Sequence, residues 1–138
     1  MKNFIYLLAA LALFACGQDN QAPPVVDLSN TTIVWEGNIQ ENSDFMVTYN
    51  DVKQCLESFG LVNNAVPPYV VLTEKFKTFI CDGQVVTGCA LFNTNTIYVP
   101  EQATWGTQYI FKHELVHIIS HLGNDAHNTK PCVICSEM

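Results

Sequence analysis

Between Thr104 and Leu122 the chain reads TWGTQYIFKHELVHIISHL, and the spacing of its apolar residues predicts a helix. Ile110, Phe111, Leu115, Val116, Ile118, Ile119 and Leu122 cover most of that helix's circumference. A helix apolar on one stripe lies on a surface, whereas one apolar nearly all round is buried, so the rest of the fold has to wrap it. Gly123 is the residue expected just past its end. Polar groups are carried into the same buried helix at His113, Glu114 and His117, where an unpaired carboxylate would be costly.

Ahead of this helix, Thr31 to Trp35 and Phe45 to Tyr49 are β-branched and aromatic and read as strands. Asn50 or Asp51 can cap a helix running to Gly60. Tyr69 to Thr73 is a further strand, and Phe76 to Ile80 continues it or forms another. Cys89 to Phe92 and Thr96 to Val99 flank a polar turn and read as a hairpin ended by Pro100. The expected fold class is α+β, a small mixed or antiparallel sheet packed on two helices, with the buried helix near the C-terminus.

The chain has 138 residues, enough for one domain. Its formal charge is -7, with six lysines and no arginine, which argues against nucleic acid as a partner because phosphates need a basic face. Residues 1–15 read as a secretion signal: Lys2 supplies the positive end, and Phe4 to Phe14 form an apolar run too short for a comfortable membrane span. The competing readings are a buried helix of the mature fold and a soluble secreted protein without lipid. Leu13-Phe14-Ala15-Cys16 resembles the lipobox of bacterial lipoproteins, and that resemblance implies cleavage before Cys16 and lipidation of its thiol. The membrane would then be a partner through the anchor. Gly17 after the cysteine leans toward the outer membrane, with the protein facing the periplasm or the surface. Residues 16–31 read as the lipidated cysteine and a polar tether, and residues 32–138 as the folded domain.

Five cysteines remain in that domain: Cys55, Cys81, Cys89, Cys132 and Cys135. An exported protein sits where disulfides persist. Cys81 and Cys89 flank the excursion CDGQVVTGC, with Asp-Gly and Thr-Gly turn signals, and are expected to pair. Cys55 would then pair with Cys132 or Cys135, closing a loop of about 75–80 residues. The CxxC spacing of Cys132 and Cys135 also admits a redox dithiol or half a zinc site. With no second CxxC and no thioredoxin-like pattern around it, one disulfide partner plus a spare thiol is favoured.

All four histidines of the chain fall between His113 and His127. His113 and His117 are four apart, so on a helix they share a face about 6 Å apart along the axis. Their ring nitrogens can converge on one tetrahedral zinc ion. Glu114 is rotated off the ligand line, yet it is close enough to act as general base on an attacking water. A structural zinc pair has no need of such a glutamate. His121 lies on the same stripe but about 12 Å from His113 along a straight helix, which leaves it supporting the ligands from just outside them or in the core. A catalytic zinc needs a third protein ligand, and this has to come from chain that turns back after Gly123. His127 and Asp125 are both candidates, His127 the favoured one, with the other hydrogen-bonding a ligand histidine.

HELVH resembles the zincin superfamily of zinc metallopeptidases. The longer metzincin pattern is absent: Ser120 and Gly123 stand where its glycine and last histidine would be, and no second helix supplies a glutamate ligand. Over roughly the last sixty residues the chain is more similar to small bacterial secreted or lipoprotein metallopeptidases, with paired cysteines before the helix, HExxH, a Gly-x-Asp-x-His turn and a closing cysteine. The resemblance implies peptide-bond hydrolysis on a peptide or protein substrate, with an edge strand before the helix receiving it. Thr96 to Val99 occupies that place in the sequence, and Tyr98 or Tyr109 are candidates to polarise the substrate carbonyl. The alternative is a non-enzymatic envelope lipoprotein whose zinc site is structural or decayed into a binding module. A domain of roughly 105 residues leaves little chain to build a second wall to a cleft.

Overall fold

A computed structural model describes residues 25–75, 77–101 and 106–138. The signal segment and Cys16 lie outside the described residues, as do Phe76, Thr104 and Trp105. The elements run β1 (Val26–Asp27), β2 (Ile33–Asn38), a 3₁₀ turn (Ile39–Glu41), α1 (Ser43–Ser58), β3 (Tyr69–Thr73), β4 (Phe79–Cys81), β5 (Gln84–Val86), β6 (Cys89–Leu91), β7 (Thr96–Pro100), α2 (Gly106–Ser120), a second 3₁₀ segment (Gly123–Asn128) and α3 (Lys130–Glu137). The fold is α+β. A mixed sheet has the order β2-β3-β7-β6, parallel only between β3 and β7, and a small antiparallel sheet has the order β1-β4-β5.

The core forms where α1, α2 and α3 meet the mixed sheet. Val70, Ile97 and Val99 from the strands pack with Tyr49, Leu56, Phe111, Leu115, Ile118 and Ile119. Phe45 and Phe111 join α1 to α2 with ring centroids 4.4 Å apart. Tyr98 alternates with Ile97 and Val99 on β7 and joins the second cluster, with Phe79, Cys89 and Leu91.

The segment from Phe45 to Tyr49 belongs to α1 and is not a strand. Asn42 caps that helix, its side chain accepting from the backbone N–H groups of Asp44 and Phe45. Phe45, Tyr49, Val52 and Leu56 are all buried at helical spacing, and their burial overrides local strand propensity. The helix ends in a Schellman arrangement, with Gly60 at φ 70 and the N–H of Leu61 donating to the carbonyl of Leu56. Val26–Asp27, inside the stretch read as tether, pairs with β4. The excursion between Cys81 and Cys89 is a true hairpin, because Asp82 (φ 50) and Gly83 (φ 77) have the left-handed conformations of a type I′ turn.

Two disulfides close the fold, Cys55–Cys135 and Cys81–Cys89, and Cys132 is a buried free thiol. The first fixes α3, a helix beyond the two expected from the sequence, against α1. Two disulfides point to an oxidising, non-cytoplasmic compartment. Among the described residues no helix is long and apolar enough to cross a membrane.

Candidate metal centre

His113 and His117 lie one turn apart on α2, and their Nε2 atoms are 3.3 Å from each other. The chain leaves α2 at Ser120, two residues sooner than the apolar pattern suggests. The backbone N–H groups of Asn63 and Asn64 both donate to the Ile119 carbonyl, and the Asn63 side chain donates to that of Ser120. These satisfy acceptors that a helix end leaves open. His121, not Gly123, takes the first left-handed conformation (φ 57), and Gly123 follows at φ 33. The chain reverses there, and the second 3₁₀ segment carries His127 back to α2.

The result is a triangle of imidazoles. The ring centroids of His113, His117 and His127 are 4.9 Å apart in all three pairs. One nitrogen from each lies within 4.8 Å of the others, the only such grouping of three among the described residues. Bonds of about 2.0–2.1 Å in a tetrahedral site put ligand atoms roughly 3.3–3.4 Å apart, so the His113–His117 pair already has the spacing an ion needs. The triad could hold a metal ion. Asp125 is exposed and outside the group. His121 is exposed as well and outside the core and the metal-ligating group; its backbone N–H donates to the His117 carbonyl, and its ring rests on Phe92 at 5.3 Å. Cys132 and Cys135 do not form half a zinc site, since Cys135 is in a disulfide and Cys132 belongs to the core.

Burial sets the protonation of the site. It pushes the His117 ring down to about 4, reinforced by His113 and His127 and opposed by a hydrogen bond with the Gly123 backbone. His113 is lowered by burial and then by His127. Both rings are thus neutral near pH 7, the form that binds metals. Glu114 is 8% exposed, and burial pushes its carboxyl up to about 8.

These shifts act on stability with opposite signs. From about 4 to 6.5 the unfolded chain binds a proton at His117 that the folded one refuses, so stability rises with pH. From 4.5 to about 8 the folded chain holds a proton on Glu114 that the unfolded one has lost, so stability falls with pH. Above 6.5 the first effect fades as the unfolded-state histidines lose their protons, and the second outweighs it. Chelator-treated protein should therefore melt roughly 3–5 °C lower at pH 8 than at pH 6.5, and Glu114→Gln should remove that decline. Calorimetry across this range checks it, and a flat wild-type profile would contradict the buried, protonated carboxyl.

A cleft of about 570 Å³ opens on the triad and Glu114. Its other lining comes from β6 and from the excursion, through Cys81, Asp82, Gln84 and Val86. A second recess of 160 Å³ touches the triad from the α3 side, lined by Tyr109, Cys132 and Glu137 among others. A cleft of 580 Å³ beside the Cys55–Cys135 disulfide is as large but contains none of the triad. Thr96 to Val99 is not an edge: β7 is paired on both sides, and β6 is the edge of its sheet. Tyr98 does not line the cleft and packs on Phe79 at 6.1 Å, while Tyr109 stands at the rim of the recess.

Sequence reasoning missed three contributors to the site. Asn63 and Asn64 lie more than fifty residues from the helix end they hold, and no local pattern announces them. Gly88 stands against Glu114, and its one sequence signal is a glycine just before the cysteine that closes the excursion. Comparison of the chain with family models, with curated proteins and with solved structures gives no match.

Proposed function

We propose that the protein is a zinc-dependent endopeptidase of the bacterial envelope, exported by its N-terminal signal and anchored through lipid on Cys16. The observation that carries this reading is the convergence of His113, His117 and His127 beside the buried carboxyl of Glu114, all lining one open cleft. The resemblance of HELVH to the zincins supports it. Three imidazoles suit zinc, which supplies a Lewis acid for the scissile carbonyl and acidifies water when bound. His113, His117 and His127 hold the ion. A cation held by the triad favours the ionised form of Glu114; that carboxylate takes a proton from the attacking water as the water oxygen bonds to the carbonyl carbon, and delivers the proton to the amine nitrogen as the C–N bond breaks. The edge of β6 offers the substrate backbone an extended partner.

The test is cleavage of a mixture of unfolded peptides by chelator-stripped protein, before and after adding back one equivalent of zinc, read by mass spectrometry. Cleavage is expected only with zinc. Zinc uptake without cleavage of any peptide would leave the protein as a metal-binding envelope lipoprotein, the alternative reading. Failure to take up zinc would remove both.

A further inference from the structure

Three of the glycines, Gly60, Gly83 and Gly123, have φ between +33 and +77 and open space where a Cβ would go. Backbone conformation explains them. Gly88 is the opposite case. Its φ is not in the left-handed range, but an added Cβ would lie 2.5 Å from Ile110 Cγ2, 2.7 Å from Glu114 Oε1 and 3.1 Å from Glu114 Cγ. Ile110 and Glu114 are four apart on α2, so the backbone of Gly88 lies flush on that helix face, against the carboxyl itself. Only a residue without a side chain leaves the carboxyl where it is.

The strap that carries Gly88 has little freedom. It is the Thr87-Gly88 link between β5 and β6, and Cys89 at its end is paired with Tyr98 and disulfide-bonded to Cys81. On the assumption that the peptidase reading holds, we propose that Gly88 is a positioning residue for Glu114, and that the disulfide-closed hairpin is the clamp that keeps it pressed on the carboxyl. The excursion then serves the chemistry twice. It lines the cleft that opens on the triad, and it confines the Glu114 carboxyl beside the ligand histidines. The three atoms nearest to a Cβ added at Gly88 belong to Ile110 and Glu114, and none to a ligating side chain.

The experiment uses the full chain loaded with zinc. Gly88→Ala should keep its zinc affinity within about twofold, and its kcat should fall by roughly 10–100-fold with KM little changed, the scale of loss expected from displacing a reacting group by an ångström or less. Adding Ile110→Ala removes the nearest obstructing atom and should restore part of kcat, which general damage to the fold would not allow. A second readout does not depend on activity. Gly88→Ala should lower the melting temperature less in a Glu114→Ala background than in the wild type, because part of the obstruction has gone. If Gly88→Ala does not fold, Cys81→Ser with Cys89→Ser releases the strap without added bulk and should likewise lose kcat while holding zinc. Wild-type kcat in either variant, or an equal melting loss with and without the Glu114 side chain, overturns the role of Gly88 and leaves the peptidase reading standing. An inactive wild type overturns the peptidase reading, and is seen before any variant is made.

Discussion

Glu114→Gln should bind one equivalent of zinc as the wild type does and lose turnover by about 10²–10⁴-fold, the usual contribution of a general base. The substitution keeps the shape of the side chain, and its neutral amide replaces a carboxyl that burial already holds protonated up to about pH 8 in the metal-free protein. The fold therefore has no reason to suffer. The amide cannot accept the proton of an attacking water, so the loss falls on kcat. His117→Ala should behave in the opposite way. It removes a nitrogen 3.3 Å from that of its partner, so zinc and activity go together. Metal content by atomic emission and peptide cleavage on the same preparations separate the two outcomes. A Glu114→Gln protein that cleaves at the wild-type rate would end the proposed mechanism.

Replacing both Cys55 and Cys135 by serine should cost about 4.5 kcal/mol, the chain-entropy value for a loop of this size, against total stabilities of roughly 5–15 kcal/mol. The bond joins residues separated by 80 positions, and Cys135 is fully buried in the core. It fastens α3 to α1, and α3 in turn packs on α2 and on the 3₁₀ segment that carries His127. The variant should accordingly melt well over 10 °C lower and also bind zinc more weakly, because His127 loses its support. Loss of the Cys81–Cys89 bond should spare zinc and strike turnover instead. Denaturant titration and competition with a metal chelator measure both. A stability loss under about 1 kcal/mol would contradict the loop-entropy account.

The sequence discloses what rests on short-range relations. The spacing of His113 and His117, the glutamate between them and the hairpin from Cys89 to Val99 all depend on neighbours within a few residues, and so does the pairing of Cys81 with Cys89. The failures are of another kind. Phe45 to Tyr49 looks like a strand over five residues and like a buried helix face only when Val52 and Leu56 are counted with it. Thr96 to Val99 looks like an edge until its parallel partner is known, and that partner starts at Tyr69. His127 and Asp125 are equally placed in the chain. What brings His127 rather than Asp125 to the pair is a reversal starting at His121, and that depends on asparagines from a distant loop. Gly88 and Glu114 are brought together by the disulfide and by the pairing of β6, so neither residue points to the other in sequence.

The unpaired Cys132 makes the protein able to report on its own opening. It is the one free thiol among the described residues, 1% exposed, and it borders the recess behind the triad. At that exposure an alkylating reagent needs a local opening around α3 to reach the sulfur, so the rate of modification is a clock for such opening. The same motion would free His127, and the clock can be read with zinc present and with zinc removed. Metal capture and the breathing of the C-terminal helix thereby become two measurements of one equilibrium.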